Sequence, residues 1–164
     1  MKGANMAKHL EVDPKKCVSC RTCELACSFG HHNEINPNLS RINVFYFEED
    51  MVSVPVVCMQ CDDASCVAVC PTGALTRNDE GVVVHNEQKC IKCKQCVSAC
   101  PLGNISYSPK LQNVFKCDLC GGDPMCVKFC PTHAISFVDS NDTPSKKGET
   151  AAKIKEASMA SCEV

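Results

Sequence analysis

Residues 90–101 read C-I-K-C-K-Q-C-V-S-A-C-P, four cysteines within eleven positions and a proline closing the run. Thiols spaced this tightly leave no room between them for an element that could bury a side-chain face. Something bonded to sulfur must hold the segment. Three further runs follow the same plan: Cys17, Cys20, Cys23 and Cys27; Cys58, Cys61, Cys66 and Cys70; Cys117, Cys120, Cys126 and Cys130. The last two also end in proline, Pro71 and Pro131, whereas Ser28 follows the first. An internal repeat of this kind decides the fold.

Cysteine makes up 17 of the 164 residues, and the chain holds no Trp, six Phe and two Tyr. So little conventional apolar surface needs covalent or metal staples. The opening fourteen residues carry no apolar stretch, twin arginine or small-residue cleavage site, so a cytoplasmic location is expected. Reducing surroundings favour metal over disulfides. No stretch approaches the length of a membrane span. A net charge of −2 without one long basic patch argues against nucleic acid.

Structural zinc favours two C-x₂-C pairs separated by a dozen or more residues, which is not the arrangement here. Metal storage would not need the β-type segments between the runs. The spacing C-x₂-C-x₂-C-x₃-C-P is instead that of [4Fe–4S] ligation, in which the fourth cysteine of a run binds the neighbouring cluster. Four runs imply four such clusters. With about −2 on each oxidised cluster, the chain would move from −2 to about −10.

The expected class is α+β: two nested dicluster modules with short helices, β-hairpins and a C-terminal helical tail. Short helices are expected to begin at residues 24–26, 67–69, 97–99 and 127–129. Strands are expected near residues 10–12, at 41–47 with 51–57, 74–77 with 82–85, 105–108 with 113–115, and at 134–138. Residues 31–40 read as a loop, and Pro55 confines its strand to an edge or bulge. Nineteen residues separate Cys70 from Cys90, enough for one hairpin, so runs two and three form the natural inner pair.

Runs one and four then close around them. The crossing rule gives one cluster Cys17, Cys20, Cys23 and Cys130, and a second Cys117, Cys120, Cys126 and Cys27. A third takes Cys58, Cys61, Cys66 and Cys100, and a fourth Cys90, Cys93, Cys96 and Cys70. The corresponding division is an outer module, residues 1–57 with 101–140, an inner module, 58–100, and a linker with tail helix, 141–164. The alternative pairs run one with two and run three with four. It has a short link between Cys100 and Cys117 but a loose one of thirty residues between Cys27 and Cys58.

Lys89, Lys92 and Lys94 flank the third run, and Asp62 and Asp63 lie in the second. The lysines would ease reduction of their cluster, or form a solvated or docking surface. His31, His32 and His133 are candidate ligands or proton relays, with ordinary loop histidines as the alternative. Glycine-rich nucleotide loops are absent, and full cysteine ligation leaves no open iron site. No residue is therefore assigned as catalytic. Cys162 has no partner run and reads as a free thiol. Residues 149–159 carry helix formers that could dock on a partner or a second copy.

The runs R-T-C-E-L-A-C-S at residues 21–28, C-M-Q-C at 58–61 and K-C-D-L-C at 116–120 resemble the four-cluster electron-transfer subunits of molybdenum and tungsten oxidoreductases. That family includes iron–sulfur subunits of formate dehydrogenase, dimethyl sulfoxide reductase and tungsten aldehyde oxidoreductase, and similar subunits of carbon monoxide dehydrogenase–hydrogenase systems. The resemblance covers about residues 10–140. It implies nested pairing and a wire of clusters, the first-run cluster near a catalytic partner and the third-run cluster at the far end. The short length is most similar to the small subunits of cytoplasmic tungsten aldehyde oxidoreductases. The implied partners are a catalytic subunit and a further redox subunit or carrier. A freely diffusing polyferredoxin is the other expectation of the same class, and a zinc-binding or storage protein the one outside it.

Overall fold

The computed structural model describes residues 8–48 and 51–139. The expected linker, tail helix and Cys162 lie outside them. Among the described residues four antiparallel two-stranded ribbons carry the β structure: β1 (Lys8–Val12) with β8 (Ile135–Asp139), β2 (Asn43–Phe47) with β3 (Val52–Val56), β4 (Leu75–Arg77) with β5 (Val83–His85), and β6 (Ile105–Ser108) with β7 (Asn113–Lys116). Each falls where the β-branched and aromatic segments predict it. Pro55 lies opposite Val44 in a ribbon that has no third strand among the described residues, as an edge position allows. The β1–β8 register sets Leu10 opposite Phe137 and Val12 opposite Ile135, so the two ends of the cysteine array meet in one ribbon.

Four helices follow the cysteine loops: α1 (Thr22–His32), α2 (Ser65–Ala68), α3 (Gln95–Ala99) and α4 (Met125–Lys128). Helix α1 is the exception to the repeat. Residues 31–40 read as a loop in sequence, yet the helix continues through His32 and a 3₁₀ turn forms at Pro37–Leu39. Without a proline after Cys27 nothing stops α1. It ends only at Asn33, whose positive φ of 50° makes a left-handed cap with its N–H on Phe29 O at 2.8 Å. In the other three runs a tight turn takes over. The N–H groups of Gly73, Gly103 and His133 donate to the carbonyls of Cys70, Cys100 and Cys130 at 3.2–3.3 Å. All three donors have positive φ, cheap for glycine and strained for His133.

Helix α1 packs on α4, and α2 on α3. Leu10, Val12, Ile42, Val44, Val57, Leu119 and Ile135 form one buried cluster together with Cys23, Cys27, Cys117, Cys126 and Cys130. Leu75, Val83, Ile105 and Val114 form a second with Cys96, against which Cys66, Cys70 and Cys100 pack. The thiols are therefore part of both cores. An isolated two-stranded ribbon is marginal in water, so the ribbons depend on the cores beneath them; β2–β3 reaches the first core through Val44 and adds a cysteine-free cluster of Val54 and Val56 with Phe47, Val52 and Leu102.

Leu10, 1% exposed, closes the first core from β1. Leu10→Ala is expected to cost about 2–4 kcal/mol in anoxic denaturant unfolding. Ile35→Ala, at a site 69% exposed, should change stability by under about 0.5 kcal/mol.

Candidate iron–sulfur centres

The four C-x₂-C loops share a backbone feature that their side chains do not advertise. The residue just before the second cysteine has positive φ in every run: Ser19 at 57°, Gln60 at 47°, Lys92 at 60° and Leu119 at 59°. None of these is glycine, and each such residue costs about 1 kcal/mol or more. Strain repeated at one position of four loops marks that position as functional. It turns successive N–H groups inward: Lys92 N–H donates to Cys90 Sγ at 3.4 Å and Leu119 N–H to Cys117 Sγ at 3.5 Å.

The fourth cysteine of each run receives an N–H as well. Ala74, Asn104 and Ala134 donate to Cys70, Cys100 and Cys130 at 3.2–3.3 Å from the turns that the prolines begin. Run one has no such turn, and Arg41 N–H reaches Cys27 Sγ at 3.3 Å from a distant segment instead. Backbone N–H groups aimed at sulfur stabilise anionic sulfur.

Three cavities collect the thiols across runs. One is lined by Cys17, Cys20, Cys23 and Cys130. Another is lined by Cys58, Cys61, Cys66 and Cys100, and the third by Cys70, Cys90, Cys93 and Cys96. The remaining thiols are also neighbours: Cys126 interacts electrostatically with Cys27 and Cys120, and Cys117 with Cys126. Electrostatic interactions and packing link the groups in series. Cys126 also interacts with Cys23, Cys117 with Cys58, and Cys66 and Cys100 pack beside Cys70 and Cys96.

All sixteen of these thiols are free, with no disulfide among them. Burial pushes Cys23 and Cys126 up to about 12, and Cys117 well above the ordinary thiol value. Burial acts on Cys70 and Cys130 too, but the backbone and threonine hydrogen bonds around them outweigh it and lower both. Burial favours the protonated thiols, so ligation would displace their protons, and the N–H donors already aimed at the sulfurs would help hold the resulting thiolates. The donor set, thiolate sulfur alone in three groups, suits iron–sulfur clusters.

Several polar residues support these groups, and their placement is not legible in sequence. Lys116 is 3% exposed. Its Nζ donates to Val83 O at 2.6 Å and Cys117 O at 2.5 Å, between the second and fourth runs. Gln60 bridges the same runs, donating to Cys117 O and accepting from Val83 N–H, each at 3.0 Å. Glu24 is buried in α1 with Oε1 accepting from Val44 N–H at 2.6 Å and Arg21 beside it. Asn104 Nδ2 donates to Val57 O at 2.9 Å.

Around the fourth run, Arg41 Nη1 pairs with Asp118 Oδ2 at 2.7 Å. Burial pushes the Asp118 carboxyl up, but Arg41 and the Cys120 N–H outweigh it and hold it below the usual carboxylate range. His31 lies here, with Nε2 3.5 Å from Cys120 Sγ and 3.6 Å from Asp118 Oδ1. Burial and then Arg41 lower its pKa, favouring the neutral ring. His31, Asp118 and Cys120 together could hold a metal ion. His32 meets the Phe115 ring edge-on, and His133 is exposed in its turn. Among the described residues no helix is long and apolar enough to cross a membrane.

A family model described as a 4Fe-4S dicluster domain matches residues 49–140. The chain belongs to that family. A second model, a 4Fe-4S binding domain, matches residues 14–30 around the first run. The chain therefore binds multiple [4Fe–4S] clusters and is an iron–sulfur protein of the ferredoxin type. The polyferredoxin-like subunit of aliphatic sulfonate oxidoreductase from Pyrococcus furiosus is 47% identical over 83 residues, 50% of this chain and 47% of that one. The electron transport protein HydN of Escherichia coli is 36% identical over 94 residues, 54% of this chain and 53% of its own. The chain spans about half the length of these curated relatives. In fold it resembles a chain of the active site complex BamBC of benzoyl coenzyme A reductase with benzoyl-CoA. The TM-score is 0.50 and the identity 23%, over 92% of this chain and 90% of that one.

Lys116→Met keeps the stem and removes the ammonium that caps two buried carbonyls. It is expected to cost about 1–3 kcal/mol. Taking away a cation that acts on both Cys66 and Cys117 should also lower the potentials of the two centres they serve, read by spectroelectrochemical titration.

Proposed function

We propose that the chain is an electron-transfer subunit holding four [4Fe–4S] clusters, each bound by three cysteines of one run and one of its partner run. Cys17, Cys20, Cys23 and Cys130 would hold the first. Cys117, Cys120, Cys126 and Cys27 would hold the second, Cys58, Cys61, Cys66 and Cys100 the third, and Cys90, Cys93, Cys96 and Cys70 the fourth. The observation that carries this reading is the set of cavities in which three thiols of one run meet the fourth thiol of another. When bound, such clusters accept and release single electrons.

The protein's own contribution is positional and electrostatic. Backbone N–H groups at Cys27, Cys70, Cys100 and Cys130 offset anionic sulfur, and Lys116 adds a buried cation between two groups. The electrostatic interactions of Cys126 with Cys23 and of Cys117 with Cys58, and the packing of Cys66 and Cys100 beside Cys70 and Cys96, support an order running from the first-run group to the third-run group. The nested division, runs one and four outside runs two and three, is supported by α1 packing on α4 and α2 on α3.

The partner is a catalytic oxidoreductase subunit, proposed to carry tungsten or molybdenum as in the resembled family. A role beside an oxidoreductase is supported by the relatives, one a subunit of a sulfonate oxidoreductase and another an electron transport protein. Anoxic purification is expected to yield about sixteen iron and sixteen acid-labile sulfide per chain, with visible absorbance bleached by dithionite. Zinc in place of iron, or iron near eight per chain, would contradict the four-cluster reading. Tungsten or molybdenum should co-purify with the chain when it is isolated from its native cells, and their absence from a stable complex would refute that partner.

A further inference from the structure

The four cysteine loops differ in what they turn toward solvent. The residue after the first cysteine is Val18 in run one and Ile91 in run three, each 62% exposed. At the same position Met59 of run two is buried at 6%, and Asp118 of run four is drawn inward to Arg41. The second cysteine is exposed in runs one, two and three, as Cys20, Cys61 and Cys93, and in runs one and three an exposed apolar residue accompanies it in the loop. Runs one and three thus present bare apolar tips, the form expected where a protein partner covers a redox group.

The two tips carry different charge. At run one, Lys16 pairs with Asp13 at 3.7 Å and Arg21 with Glu24 at 3.6 Å, which leaves Lys15. At run two the exposed charges are Asp62 and Asp63. Lys128 of run four pairs with Asp123. Run three exposes Lys89, Lys92 and Lys94, and no carboxylate pairs with them in an ion pair among the described residues. Glu87 is the one acid in the turn leading to the run. Lys94 is held in place by the Tyr107 ring, its Nζ 3.9 Å from the centroid.

We infer that the third-run tip, exposed Ile91 with Lys89, Lys92 and Lys94 close to it in the chain, is the docking face for an acidic redox protein. This inference rests on the electron-transfer reading above and names the partner of one end. A cluster behind this tip is anionic, and so is the surface of an acidic carrier. Without cations between them the two repel, and three unpaired lysines around one apolar contact remove that barrier. Charge complementarity of this kind acts mainly on association rate and is screened by salt.

The test uses the full chain with its clusters, reduced under anoxic conditions, and oxidised flavodoxin as the acidic probe. Reversing the lysines in Lys89→Glu/Lys92→Glu/Lys94→Glu is expected to slow flavodoxin reduction about tenfold or more at low ionic strength. The milder Lys89→Gln/Lys92→Gln should fall between, guarding against misfolding of the triple variant. Lys15→Glu/Lys16→Glu at the other tip should stay within about twofold of the wild type, while salt raised from about 10 to 300 mM slows the wild type toward the triple variant. Carbodiimide crosslinks to flavodoxin, mapped by mass spectrometry, should fall on Lys89, Lys92 and Lys94. Unchanged rates in both third-run variants, or crosslinks on Lys15 and Lys16 instead, overturn the docking face. A chain whose absorbance dithionite cannot bleach overturns the electron-transfer reading itself, and the docking face with it.

Discussion

Sulfur must be gathered from stretches of chain far apart in sequence, and everything else in this fold is arranged to permit it. Cys130 meets Cys17, Cys20 and Cys23 across more than a hundred residues, and the β1–β8 ribbon ties the same two regions together. The ribbons are too short to stand alone, and about a third of the residues in the two main cores beneath them are cysteines. Such a chain cannot be understood as a conventional core decorated with ligands. The ligand groups are the core.

Gathering thiols also concentrates negative charge once they ligate metal, and the chain answers with dipoles more than with cations. N–H groups at the fourth cysteine of all four runs are the recurring device. Three arise from one local rule, a Cys-Pro turn whose residue of positive φ is Gly73, Gly103 or His133. The first run breaks the rule and is served by Arg41, which also holds Asp118 beside the fourth run. Gln60 then stitches the second run to the fourth, and Lys116 ties the fourth run to β5. Local turns and long-range polar bridges thus do the same electrostatic work.

Much of this is legible in sequence, and for physical reasons. Thiol spacing is dictated by ligation, so the runs alone identify the cofactor. Hairpins follow from β-branched segments set around turn residues, and all appear within a residue or two. The length of α1 is not legible, because stopping it depends on a missing proline and an Asn33 cap rather than on a positive signal. The positive φ values at Ser19, Gln60, Lys92 and Leu119 are equally hidden, since no glycine marks them. Buried Lys116 and Glu24 look like surface charges in sequence. Only three-dimensional placement shows which carbonyl or N–H each one meets.

The central claim is that every cluster draws three sulfurs from one run and the fourth from its nested partner. Anomalous diffraction at the iron edge, on anoxically grown crystals of the loaded chain, reads it directly. The account predicts four cluster sites, with Cys130 at the first-run site, Cys27 at the fourth-run site, Cys100 at the second-run site and Cys70 at the third-run site. A site ligated by all four cysteines of a single run, or Cys27 bound beside Cys58, would contradict it.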